Sequence, residues 1–63
     1  MSYEAIAYVR RRGTLAPAEL KWTTVDSRDQ VKAREAYEDL NLEVIGAVRV
    51  LDQGVASALA EKI

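Results

Sequence analysis

Chemistry in this 63-residue chain has to be sought among a few residue types, because it has no histidine and no cysteine. Imidazole bases, thiolate nucleophiles, disulfides and the usual nitrogen or sulfur metal ligands are therefore absent. The most concentrated charge is the run Arg10-Arg11-Arg12, followed by Gly13, with Lys21-Trp22 a few residues on. Guanidinium groups bind phosphate or carboxylate through paired N–H donors, and an indole offers a stacking surface. Arg10, Arg11, Arg12, Lys21 and Trp22 are accordingly the candidate anion- or partner-binding residues. The ligand of such a cluster would be a nucleic-acid backbone, a nucleotide held between subunits, or an acidic protein. Its structural alternative is that the arginines complement the negative end of a helix and keep an apolar chain in solution. The net charge of -1 and pI near 5.3 run against a dedicated nucleic-acid binder, which is normally strongly basic.

Catalysis has little to build on. A serine or threonine nucleophile needs a positioned base, and only carboxylates or lysines could serve. Glu38 and Asp39 are adjacent, but neighbours on a helix point about 100° apart and do not share a site. Gly13, Gly46 and Gly54 are too scattered for a phosphate-binding loop, and no acidic spacing suits calcium. The expectation is a non-enzymatic protein with no catalytic residue, no cofactor and no metal. No apolar run approaches the ~20 residues of a bilayer-spanning helix, so a cytoplasmic, non-membrane protein is expected.

These residues must be positioned by a single small domain over 1–63. The first segment, Ser2 to Gly13, reads as a short helix: Ser2 caps, Glu4 suits the first turn, the arginines suit the last, and Gly13 closes it. Tyr3, Ile6, Ala7 and Arg10 would share one face. A strand over Glu4–Arg10 competes with it, since Ile6 and Tyr8 alternate with small residues. Around Pro17 an irregular connector is expected. It holds either a helical turn from Pro17 to Trp22 or an extended Lys21–Val25 rich in strand formers.

From Ser27 the pattern is stronger. Ser27-Arg28-Asp29-Gln30 has the form of a capping box. Beyond it Ala33, Tyr37, Leu40, Val44, Ala47, Leu51, Gly54 and Ala58 recur at steps of three and four, opposite a polar seam. The spacing predicts an all-α fold: a short N-terminal helix, the connector, and a long amphipathic C-terminal helix from about Arg28. Unbroken, that helix would be about 50 Å long, too long for one chain to cover. A homo-oligomeric bundle follows, packed through Tyr37, Leu40, Val44, Ala47, Val48, Leu51, Val55 and Leu59. The rival reading is a small α+β protein of order ββαβα or βαβα, with Asn41 ending a helix in the left-handed conformation, 42–51 a buried strand and 55–62 a second helix. Against it, one face of that strand would mix Glu43, Ile45, Ala47, Arg49 and Leu51.

A chain this short seldom draws more than ~3–5 kcal/mol from one core, yet 49% of it is apolar. Self-association therefore follows from composition as well as from the seam. The function expected is a small homo-oligomeric, regulatory binding or adaptor protein working by protein–protein contacts. Its partners would be itself and another protein of unknown identity. Size alone offers the analogy with accessory proteins of phages or plasmids. The alternative is an anion-binding regulator that applies the arginine cluster to nucleic acid or a nucleotide.

Overall fold

A computed structural model describes residues 2–62. Its elements are β1 (Tyr3–Arg11), β2 (Glu19–Val25), α1 (Gln30–Asp39), β3 (Leu42–Asp52) and α2 (Val55–Glu61). The three strands form one antiparallel sheet in the order β2-β1-β3. The fold is thus α+β, with the element order of the rival reading; the all-α, helical architecture with a long C-terminal helix is wrong.

Three local decisions produce the difference. Along β1, Tyr3, Ala5, Ala7 and Val9 point to one side of the sheet and Glu4, Ile6, Tyr8 and Arg10 to the other, and Glu4, Ala5, Ile6, Ala7 and Val9 are buried, residues of both sides among them. A central strand, covered on both faces, suits such a two-sided apolar pattern. The helix signals at Ser2 and Gly13 are local effects of about 1 kcal/mol, less than the burial the sheet offers. Ser2 instead directs its hydroxyl at Gln53, 3.3 Å away. Gly13 does adopt a left-handed φ of 79°, but it closes a turn after a strand rather than a helix.

The connector around Pro17 leads into β2, where Trp22, Thr23, Thr24 and Val25 supply the β-preferring side chains. Helix α1 starts two residues later than the capping box implied. Asp29 is its N-cap, Oδ1 accepting from the Val31 amide at 2.9 Å, while the Ser27 hydroxyl accepts from the Asp29 amide at 3.1 Å.

Asn41 then ends the expected long helix. Its φ is 62°, a conformation asparagine tolerates far better than a β-branched residue, and its amide donates to the Glu38 carbonyl at 2.9 Å. The chain reverses there, and the β-branched run Val44, Ile45, Val48, Val50 becomes β3. Tyr8 pairs with Ile45 whereas Ile6 pairs with Arg49, so β3 carries two extra residues at this point. Gly46, at φ 87°, sits in this bulge. An even number of extra residues preserves the alternation, so Ile45 and Arg49 remain on the same side of the sheet.

Helix α1 covers the Tyr3/Ala5/Ala7/Val9 side, and Ala33 and Tyr37, four residues apart, pack into it with Val25 and Val48. Alanine at 5, 7 and 33 leaves room for the Tyr37 ring, which with Val9 is the largest fully buried side chain. The Tyr37 hydroxyl donates to the Lys21 carbonyl at 2.8 Å, with the Ala5 carbonyl 3.1 Å away. The second helix, α2, lies on the opposite side.

Candidate functional site

The opposite side of the sheet is where this fold leaves work undone. Glu4, Ile6, Tyr8 and Arg10 of β1 face it, with Leu20, Trp22 and Thr24 of β2 and Glu43, Ile45, Arg49 and Leu51 of β3 alongside by register. Only α2, seven residues long, covers it. One end is closed: Ala56 and Ile6 are buried and Glu4 is 5% exposed. Toward the other end Tyr8 is 52% exposed, Trp22 43% and Ile45 38%. Between α2 and these residues runs a groove of about 390 Å³ floored by Ile6 and Ala7, with Leu20 and Leu59 on its walls and Arg49 and Lys62 at its rim.

Glu4 fixes α2 in place. The helix begins at Gly54, φ 89°, which has no side chain to cap it. Instead the Glu4 carboxylate, fifty-three residues earlier, accepts the Ser57 amide at 3.0 Å. That hydrogen bond holds the Glu4 carboxyl below its ordinary 4.5, against the opposing effect of burial. A negative charge at the amino end of a helix is also favourably placed.

The arginine run does not form one patch. Strand alternation sends Arg10 to the open side and Arg11 to the α1 side. Arg10 is committed to Glu43, Nε to Oε1 2.9 Å, and this hydrogen bond lowers the Glu43 carboxyl. The Arg10–Glu43 pair also answers the objection that β3 alternates poorly: the acid that β3 places on the half-open side has its cation directly across on β1. Arg12 lies beyond β1 and pairs with Glu38 at 3.4 Å. Arg11 has no ion-pair partner among the described residues, and neither has Lys21. Arg11, Lys21 and Trp22 border a common groove. Of the five candidate residues, Arg11 and Lys21 thus share the α1 side of the sheet, while Trp22 and Arg10 belong by register to the open side and Arg12 is paired beyond β1.

The expected oligomer seam is dispersed because 42–52 is a strand. Tyr37 and Val48 are buried in the chain's own core, and Val44 packs against it. Leu40 is the exposed C-cap of α1. Ala47 and Leu59 line the groove on the open side, Leu51 pairs with Glu4, and Val55 opens α2 with 43% of its surface exposed. The residues that make the open face, Tyr8, Leu20 and Ile45, were not singled out by sequence reasoning. The signal for Tyr8 was its alternation with Ile6 in the rejected strand reading. The Glu4–Ser57 contact joins opposite ends of the chain and has no local signature.

Among the described residues, no group of three or more acidic residues is placed to hold a metal ion, and no helix is long and apolar enough to cross a membrane. No protein-family model, curated protein or solved structure matches the chain.

Proposed function

We propose that this chain is a small non-enzymatic binding protein that assembles with copies of itself through the open side of its sheet and works by protein–protein contacts. The observation that supports the reading is the exposure of Tyr8 and Trp22, each about half exposed, on either side of the Ile6–Leu20 diagonal of a sheet face that α2 covers only in part. Aromatic side chains flanked by arginine are the groups that concentrate binding energy at protein interfaces, and Arg49 stands at the rim.

Energetics favour a second copy as the occupant. Among the described residues the buried core is Tyr37, Ile6, Val9, Val25 and Val48 with four alanines, a small interior. Such a core leaves a small domain with little stability to spare. The molecule is a slab with extents of 34, 25 and 16 Å, so its broad face can supply the roughly 800 Å² per partner of an ordinary interface. Two copies meeting through the part of this face that α2 leaves open would keep α2 beside the contact and α1 outermost on each. An interface of this kind uses the same patch on both copies. It replaces the helical bundle that the sequence pattern suggested.

Light scattering across a concentration series tests the proposal. Wild type is expected at twice the chain mass or a multiple of it, and Tyr8→Glu at the chain mass with an unchanged far-UV circular dichroism spectrum. A wild type that stays at the chain mass at ~0.5 mM, corresponding to a Kd weaker than about 1 mM, overturns it.

A further inference from the structure

On the α1 side of the sheet, away from the open face, β1, β2 and the end of α1 enclose a second groove of about 550 Å³. Its walls bring together Arg11 from the end of β1 and Lys21 from β2, which lies opposite Ala7. Neither is engaged by a carboxylate among the described residues, whereas the flanking Arg10 and Arg12 are taken up by Glu43 and Glu38. None of the residues bordering the groove is acidic. The carbonyl end of α1 contributes a partial negative charge of about half a unit, against two full positive charges, so the field in the groove is cationic.

The remaining lining is of two kinds. The Thr23 hydroxyl and the Asn41 side-chain amide add hydrogen-bond donors, and Asn41 is held in place through its own carbonyl, which accepts the Arg12 amide at 3.1 Å. Apolar surface comes from Leu40, 60% exposed; Trp22 borders the groove along β2, its side chain belonging by register to the opposite side. Two cations for an anion, a pair of neutral donors, and exposed aliphatic surface beside them suit a small phosphorylated ligand with a flat ring. The volume lies within the ~300–1,000 Å³ of small-molecule sites. A guanidinium beside an ammonium suits a phosphate's several oxygens, the one through paired donors and the other as a point charge. A polyanion fits less well, because the chain is acidic overall and Glu19 and Glu38 stand on β2 and α1, the elements that form this groove.

We infer that this groove binds a phosphorylated small molecule of mononucleotide size, its phosphates between Arg11 and Lys21 and its ring against Leu40. The site is independent of assembly through the opposite face, so the Tyr8→Glu variant is expected to bind as wild type does.

Isothermal titration with ADP, and separately with inorganic pyrophosphate, tests the assignment. ADP is expected to bind with a sub-millimolar Kd and pyrophosphate several-fold more weakly. Arg11→Gln and Lys21→Gln should each weaken ADP by roughly tenfold, since both side chains are exposed and the fold does not need them. Lys32→Gln, on the exposed surface of α1 and outside the groove lining, should leave ADP binding unchanged. Heats absent with both probes up to about 5 mM, ADP no tighter than pyrophosphate, or equal losses in all three variants would each overturn it. Tighter binding of a short oligothymidylate than of ADP would also overturn it, in favour of a nucleic-acid strand.

Discussion

Removing one oxygen atom, by Tyr37→Phe, probes how the core is held. The ring is 1% exposed and its hydroxyl is within 3.1 Å of both the Ala5 and the Lys21 carbonyls, so it ties α1 to β1 and β2 together. One phenolic proton serves the nearer Lys21 oxygen chiefly. A net loss of about 1 kcal/mol is expected near neutral pH, which corresponds to a melting temperature roughly 4–8 °C lower in a domain of this size. The pH dependence makes the test sharper. Burial pushes the Tyr37 phenol from 10.0 up to about 12. Between those values the unfolded chain has given up a proton that the native state keeps. The contribution is therefore fully present below pH 10 and is lost as pH rises toward 12, on the order of 2 kcal/mol in all. The variant has no such group and is otherwise identical to wild type. Wild type should accordingly lead by about 1 kcal/mol at pH 8, with the gap closing and then reversing by about pH 11–12. Urea unfolding followed by Trp22 fluorescence, at one fixed protein concentration, measures it. A gap that stays constant across this range, or equal stability at pH 8, refutes the account of a buried, donating hydroxyl.

Glu4→Ala removes the acceptor of the Ser57 amide. Helical signal near 222 nm should fall and amide exchange in α2 should quicken while β1–β3 keep their protection. Because the Glu4 carboxyl is held below 4.5, its contribution is complete above that value and disappears as pH falls through the lowered one. Wild type and variant should differ at pH 6 and converge at strongly acid pH; a difference independent of pH speaks against the charged cap. Gly46→Ala meets no neighbouring atom but must hold a φ of 87°, so a loss of about 1 kcal/mol or more is expected from backbone strain alone, read from the urea midpoint. Asp29→Ala should cost about 1 kcal/mol through loss of the α1 cap, whereas Ser27→Ala should cost less, the reverse of what a capping box starting at Ser27 requires.

How much of this could be read in advance varies by element. Asn41 as a left-handed helix end, the strand at 42–51 and a helix after Gly54 were all visible in the residues as one consistent alternative. What displaced them was a three-and-four recurrence running through Val44, Ala47 and Leu51. In the structure those side chains divide between the two sides of β3, and the recurrence has no single surface to serve. A seam is a property of one element, and only long-range pairing decides whether the element continues. The partner of β3 is β1, more than thirty residues away along the chain, so nothing within a helical window could show it. The candidate binding residues were legible by type but not by grouping. Strand alternation separates Arg10 from Arg11, and tertiary contact joins Arg11 to Lys21.

Both partners of the central strand, β1, follow it in the sequence. Its β2 edge can be satisfied once residue 25 is available, whereas its β3 edge waits for residues 42–52. Until then β1 is paired along one edge only, and a shortened translation product ending before β3 would keep it so. Strand pairings this distant are slow to close and vulnerable to intermolecular capture in the interval, which makes yield in the cell a question of translation and folding kinetics as much as of final stability.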